Sequence, residues 1–421
     1  MTSNWPSFRI RCQLVAVAAF TLMAGCLTSS HKPVPTELAA SINERIDLSA
    51  VPDSNQRVDP ETVTRMIAHF TGDEPVDPNA PRYDVLVLSG GGMYGAFTAG
   101  VLVGWSEAGT RPKFHCVTGV STGALIATLA FLGPEYDPTI ARIVDDLNVG
   151  KIYRLRLPGS ILWSASLASA EPLQRLIESV VDKELLKAVA KAHAEGRRLY
   201  VGTTELNSCR LVVWDMGAIA SRGDAESLKL FRTVLLASCS IPGFFAPVPI
   251  DVEIDGNKYT EMHVDGGASA SMFLRFPYLK PGEALAQRRR PLAGSNLYVI
   301  VSGKLYADPA PVRNTFRSVA SNSLTSVLYA EARGDLYNMF TGSLVTGIKF
   351  QMVAIPGDFE VTRDSTSFDP VEIRKLYDEG LRIGRSPYPW RTLPPGPEIN
   401  EQVIPRTGIR FATPASEALP P

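Results

Sequence analysis

The pentapeptide Gly119-Val120-Ser121-Thr122-Gly123 constrains this chain more than any other stretch. A serine hydroxyl is a weak nucleophile unless the backbone holds it clear of its surroundings, within reach of a base and facing amide donors. The flanking residues supply the means. Residues 114–118 (FHCVT) read as a short buried strand running into Gly119, and residues 122–130 read as a helix that starts directly after the serine. Strand, sharp turn and helix are the context that separates a G-x-S-x-G nucleophile elbow from an ordinary Gly-Ser loop.

A second element lies upstream. Residues 83–89 (YDVLVLS) form an apolar, β-branched run of strand length that ends in Gly90-Gly91-Gly92-Met93-Tyr94-Gly95, and a helical pattern follows over 96–107. Consecutive glycines carry no Cβ, so the backbone can approach a bound group closely and aim its N–H groups at it. The loop also opens a helix, where unpaired amides favour negative charge. Such a loop either cradles a phosphate or stabilises the oxyanion formed when a serine attacks an ester. No Walker lysine follows, and the glycines fit the dinucleotide fingerprint only loosely. With a serine elbow one strand–helix unit downstream, the oxyanion use is the better fit.

The base is sought among few candidates. The chain has five histidines, His31, His69, His115, His193 and His263. A triad in the order serine, acid, histidine would have to end at His263 and take its acid from Asp145, Asp146 or Asp215. The stronger candidate is Asp265 in Met262-His263-Val264-Asp265-Gly266-Gly267, where a strand ends on an aspartate and two glycines let the chain turn away. A carboxylate that is close to the serine and partly dehydrated can take its proton. An Asp-Gly-Gly turn alone is a common loop, and His263 reads as a helper or, more simply, as a core or surface histidine.

Taken together, the glycine loop, the elbow, the segment Ala237-Ser238-Cys239-Ser240-Ile241-Pro242-Gly243-Phe244-Phe245-Ala246-Pro247 and Asp265-Gly266-Gly267 resemble, in order, the motifs of patatin-like phospholipases. The resemblance runs from Tyr83 to at least Gly267 and weakens towards Trp390. It implies a three-layer α/β/α fold with a mostly parallel central sheet, a Ser–Asp dyad, and lipid acyl hydrolysis without metal or other cofactor. Carried over by position, Ser121 is the nucleophile and Asp265 the general base. Gly90, Gly91, Gly92 and Gly95 form the oxyanion loop, with the amides around Gly91 and Gly92 as donors, and Gly119 and Gly123 form the elbow. The 237–247 segment shapes the site. Members of the family commonly carry Arg or Lys where this chain has Tyr94, and a neutral residue there weakens the inference to a phosphate-bearing substrate. The expected substrate is a membrane lipid or another acyl ester.

The N-terminus indicates location. Arg9 and Arg11 precede the apolar stretch 14–23, which closes on Ala24-Gly25-Cys26, a secretory signal too short to span a bilayer. The cysteine after small residues resembles a bacterial lipobox, with Met23 where leucine is more usual. It implies cleavage after residue 25, lipidation of Cys26 and residence in the cell envelope, on the periplasmic side or at the outer membrane. Cleavage near Gly25 without lipidation is the plainer alternative. Residues 26–81 read as a lipidated N-terminus and flexible tether, with short helices over 36–46 and 61–70. Residues 82–390 read as the acyl hydrolase domain and 391–421 as a Pro-rich tail.

Net charge is −1, which gives no reason to expect nucleic acid as a partner, and 45% hydrophobic content fills a large core. Cys116, Cys209 and Cys239 remain once Cys12 and Cys26 are set aside; an odd number without a CxxC reads as free, buried thiols. Further helices are expected over 171–195, 315–340 and 370–383, and strands over 198–203, 211–214, 297–301 and 349–355. Residues 280–295, with Arg288, Arg289 and Arg290, read as a solvated loop, and 155–167 as a flap or packed loop near the site. Two other activities share these parts. An acyltransferase would use the same dyad with a different acceptor, and an envelope lipid-binding protein would keep the fold without the chemistry.

Overall fold

The computed structural model describes residues 32, 34, 45–47, 81–156, 166–254, 256–274, 292–309, 311–362 and 364–395. Its centre is a mixed sheet whose strands are β1 (Arg45–Asp47), β2 (Asp84–Leu88), β3 (Cys116–Val120), β6 (Arg198–Glu205), β7 (Arg210–Asp215), β8 (Val248–Ile254), β9 (Asn257–Asp265), β10 (Asn296–Val301) and β11 (Lys349–Ala354). A separate small ribbon joins β4 (Arg154–Leu155) and β5 (Ala168–Ser169). In the order β6-β3-β2-β10-β11 every neighbour is parallel, and β7 and β1 add antiparallel strands beyond β6.

The parallel strands are buried on both faces, as their apolar runs require. Successive residues feed two cores: Leu86, Leu88 and Ile300 enter one, and Val85, Val87, Val299 and Val301 the other. Against the first core lie α1 (Gly95–Glu107), α2 (Thr122–Leu132), α3 (Asp137–Asp146), α4 (Val149–Ile152), α5 (Glu171–Val180), α6 (Lys183–Ala194), α7 (Met216–Ser221), α8 (Ala225–Ser238) and α10 (Pro370–Gly384). The second core is closed by α9 (Phe316–Thr346) through Leu336 and Met339. Helix, sheet and helix make the three-layer α/β/α architecture.

Helices α1 and α10 touch backbone to backbone. A Cβ at Gly100 or Gly104 of α1 would strike the carbonyls of Tyr377 or Leu381, and one at Gly380 or Gly384 of α10 those of Phe97 or Val101. This brings the far end of the chain onto the helix that begins at the glycine loop.

Three local readings need correction. The helix expected over 171–195 is two helices, because Asp182 becomes extended and its carboxylate accepts the Leu185 N–H at 2.8 Å, an N-cap hidden inside continuous apolar periodicity. The helix expected over 36–46 does not reach its end: Arg45–Asp47 is a strand paired with residues 212–214, satisfying the open edge of β7. The tail boundary at 390 falls inside the fold, since Arg391 and Met352 exchange two backbone hydrogen bonds of 2.8 Å and the Trp390 ring lies 4.6 Å from that of Trp105. The leader, Cys26, the 61–70 helix, the Arg288 to Arg290 loop and residues 396–421 lie outside the described residues. So do residues 157–165 of the flap, whose ends Leu155 and Leu167 are exposed.

Candidate active site

Strand β6 changes partners halfway along one edge. Its first part pairs in parallel with β3 up to Val120 opposite Gly202, and its last part pairs antiparallel with β9, with Asp265 opposite Thr203. Two strands therefore meet end to end on adjacent rungs of β6. The residue that leaves β3 is Ser121 and the residue that ends β9 is Asp265. Their side chains lie close enough for the Ser121 hydroxyl to stabilise the Asp265 carboxylate.

The elbow itself is strained. Ser121 has φ 53° and ψ −129°, a conformation rarely tolerated by a residue with a side chain and worth about 1–3 kcal/mol in local strain. It persists because the turn is tight: a Cβ on Gly119 would lie 2.5 Å from the Gly123 carbonyl oxygen, and one on Gly123 would lie 2.5 Å from that of Ser89. Helix α2 begins at Thr122, so its positive end faces the serine.

The 237–247 segment holds nucleophile and base together. Ser238 Oγ accepts the Ser121 N–H at 2.9 Å and donates to the Gly202 carbonyl at 2.7 Å, while the Ser240 carbonyl accepts the Asp265 N–H at 2.8 Å. Sequence reasoning gave this segment a shape-giving part but no bonds. Its serines look like any others until the fold sets them beside residues far away in the chain.

Asp265 is 5% exposed, and its carboxylate also accepts the Gly267 N–H at 2.8 Å. Burial pushes its pKa up to about 6, against the pull of the Ser121 hydroxyl and the Gly267 N–H. It is ionised at neutral pH and more basic than an ordinary aspartate. Two more carboxyls stand close by on α9: burial, with Asp335 and Asp265 near, raises Glu331 to about 7, and burial raises Asp335 to about 6.

In the glycine loop the four candidate residues divide. The Gly90 N–H donates to the Ser271 carbonyl at 3.1 Å, and the Gly95 N–H is taken by the turn that opens α1. Those two amides are engaged within the fold, whereas no partner occupies the amides of Gly91 and Gly92 among the described residues. Gly91 lies against Ser302, which a Cβ would strike, and Gly92 takes φ 56° against the Ser365 carbonyl. Tyr94, at the position of the family's cation, sends its hydroxyl to the Thr362 carbonyl at 2.5 Å. Burial, with Tyr329, Asp364 and Asp308 nearby, pushes its pKa up, so it stays neutral and ties the loop to the 359–368 segment.

His263 does not reach Ser121 in a dyad or triad. It is fully buried, with Nδ1 2.9 Å from Thr203 Oγ1 and Nε2 3.1 Å from Glu261 Oε2. Cys116 and Cys239 are buried thiols as expected, but Cys209 is exposed, because it lies in the turn between β6 and β7.

Ser121 and Gly92 open onto an apolar cavity that extends between the helices of the first core, past Ala99, Leu129, Ile177 and Val180 to Phe244 and Phe368. Its volume is about 110 Å³, and its walls are mostly apolar side chains. Phe368 itself sits at φ 44°. A carbonyl carbon at Ser121 would thus have amides on one side, a carboxylate behind the hydroxyl and a greasy channel for the chain attached to it.

Residues 86–277 match the family model of patatin-like phospholipases. Among solved structures, VipD from Legionella pneumophila is similar, with 13% sequence identity and a TM-score of 0.33 over 74% of this chain and 69% of that chain. No curated protein matches the sequence. Residues 86–277 thus make up a patatin-like phospholipase domain, set in the α/β/α fold described above.

Proposed function

We propose that this protein is a membrane-tethered serine lipid acyl hydrolase, a carboxylic ester hydrolase of the phospholipase A or lysophospholipase type. The observation that carries the reading is the meeting of Ser121 with a buried Asp265 on adjacent rungs of β6, at the mouth of an apolar cavity. In the reaction Ser121 Oγ attacks the acyl carbonyl while its proton passes to Asp265, and the oxyanion meets the Gly91 and Gly92 amides. Asp265 then gives the proton to the departing alcohol, leaving an acyl-enzyme on Ser121. A water, deprotonated by Asp265, attacks the acyl-enzyme, and as the bond to Ser121 Oγ breaks Asp265 returns the proton to it, freeing the acid. Gly90 and Gly95 shape the loop, and Gly119 and Gly123 permit the elbow.

Lipidation of Cys26 would keep the domain at a bacterial envelope membrane, beside a membrane lipid or related acyl ester. Neutral Tyr94, ringed by Asp308, Asp364 and Glu372, supports a head group other than a bare phosphate. Ser121→Ala and Asp265→Asn are each expected to remove nearly all turnover of a p-nitrophenyl ester while the circular dichroism spectrum is kept. Wild-type turnover by either sinks the dyad. Cys26→Ser is expected to move the protein from the membrane fraction to the soluble one, and unchanged partitioning argues against the anchor.

A further inference from the structure

After Asp265 the chain leaves the sheet. Gly266–Ala268 makes one tight turn, and residues 269–274 have no strand partner among the described residues although Met272 is buried. Buried backbone N–H groups need acceptors. Here a side chain supplies one: Asp335 of α9 accepts the Met272 N–H at 3.2 Å. The Ser271 carbonyl, fixed by the same contact, accepts the Gly90 N–H at 3.1 Å. Asp335 thus stands at the junction of two catalytic loops. On one side is the segment running back to the base, and on the other the glycine loop with the open amides of Gly91 and Gly92.

A carboxylate suits the task. Its oxygen accepts the Met272 N–H, and charge-assisted bonds of this kind are stronger than neutral ones. Leu336 and Met339, beside it on α9, pack in the second core with Met272, so the carboxylate is borne by a rigid element. Asp335 lies outside the region matched by the family model, and no local motif marks it.

We propose that Asp335 is a positioning residue for the chemistry at Ser121, aligning the glycine loop with the dyad through the Ser271 carbonyl. This rests on the acyl hydrolase reading. Asp335 touches no reacting atom; its effect passes through the chain from Ser271 to Gly90.

The test compares Asp335→Ala, Asp335→Ser and Asp335→Asn with wild type, on soluble p-nitrophenyl butyrate and on a fluorophosphonate probe. In the probe reaction Ser121 Oγ bonds to phosphorus, fluoride leaves, and the serine proton passes to Asp265. The phosphoryl oxygen of the adduct then lies where the oxyanion would. Alanine should lower kcat about 10–100-fold with KM changed less than about threefold, and should slow labelling in parallel. Asparagine, whose amide oxygen still accepts, should recover most of the rate, and serine, with one short hydroxyl, should fall between. Serine against asparagine keeps the ranking readable if alanine does not fold. A kcat within about twofold of wild type for alanine, or a ranking that ignores acceptor capacity, overturns the role. A wild-type chain that neither hydrolyses the ester nor takes the label overturns the hydrolase reading along with it.

Discussion

The Oγ of Ser238 accepts the amide hydrogen of Ser121 at 2.9 Å while donating to the Gly202 carbonyl. One buried hydroxyl therefore secures the strained elbow to the strand on which nucleophile and base meet. Ser238→Ala leaves both groups without partners, which costs about 1–3 kcal/mol. The expected result is a lower thermal midpoint together with a fall in kcat larger than any change in KM. A variant with wild-type kcat would show that the elbow keeps its geometry without this bond.

The pH dependence of kcat/KM follows from Asp265. A base must be ionised to accept the serine proton, so activity is expected to climb as pH rises and to reach half its plateau near 6. Ionisation of Glu331 at about 7 adds charge beside Asp265 and broadens that limb, so the two titrate as a coupled set. A pH–rate profile on a soluble ester measures this. A midpoint near 4 would mean that the carboxylate is far better hydrated than its burial suggests.

Stability should run the opposite way to activity. The folded-state pKa of Asp265 is raised above its ordinary 3.8, so the folded protein holds the proton more tightly than the unfolded chain. Its contribution is present below about pH 4 and is lost as pH climbs through 6. Asp265→Asn is permanently neutral and is expected to be more stable than wild type at pH 8, by on the order of 2 kcal/mol, with the gap closing as pH falls to about 4. Thermal melts at the two pH values measure the gap. A mutant less stable than wild type at pH 8 would contradict the sign.

Acyl-chain selection is expected to reside in the cavity wall. Val180, on α5, lines the cavity and takes no part in the dyad or the glycine loop. Val180→Phe should lower kcat/KM on palmitoyl esters at least ~10-fold while leaving butyryl esters within about twofold. Equal losses on both would place the acyl chain elsewhere.

Much of this site could be read from the chain because its chemistry is local. The elbow, the glycine loop and the Asp-Gly-Gly turn each declare themselves within a few residues, since backbone conformation fixes which residues they can use. What holds them together could not be read in that way. Ser238, Ser302, Ser365 and Asp335 act through bonds to residues far away in the chain, and nothing in their own surroundings separates them from surface serines and aspartates. Asp182 was hidden for a different reason: apolar spacing runs unbroken through it, and only the cap reveals two helices where one pattern is visible. Gly90 and Gly95 belong to the loop as expected, but their N–H groups are committed inward, which residue type alone does not disclose.

The contact between α1 and α10 bears on where this protein could be cut. The family match ends at residue 277, but β2 draws a neighbouring strand from β10, and α1 is clamped by a helix that starts at Pro370. A truncation at the end of the match would strip the glycine loop's strand of one neighbour and its helix of the surface it rests on. Every catalytic candidate would survive in the shortened polypeptide, and the support that aligns them would be gone. Recognisable motif and self-sufficient folding unit are, in this protein, different lengths of chain.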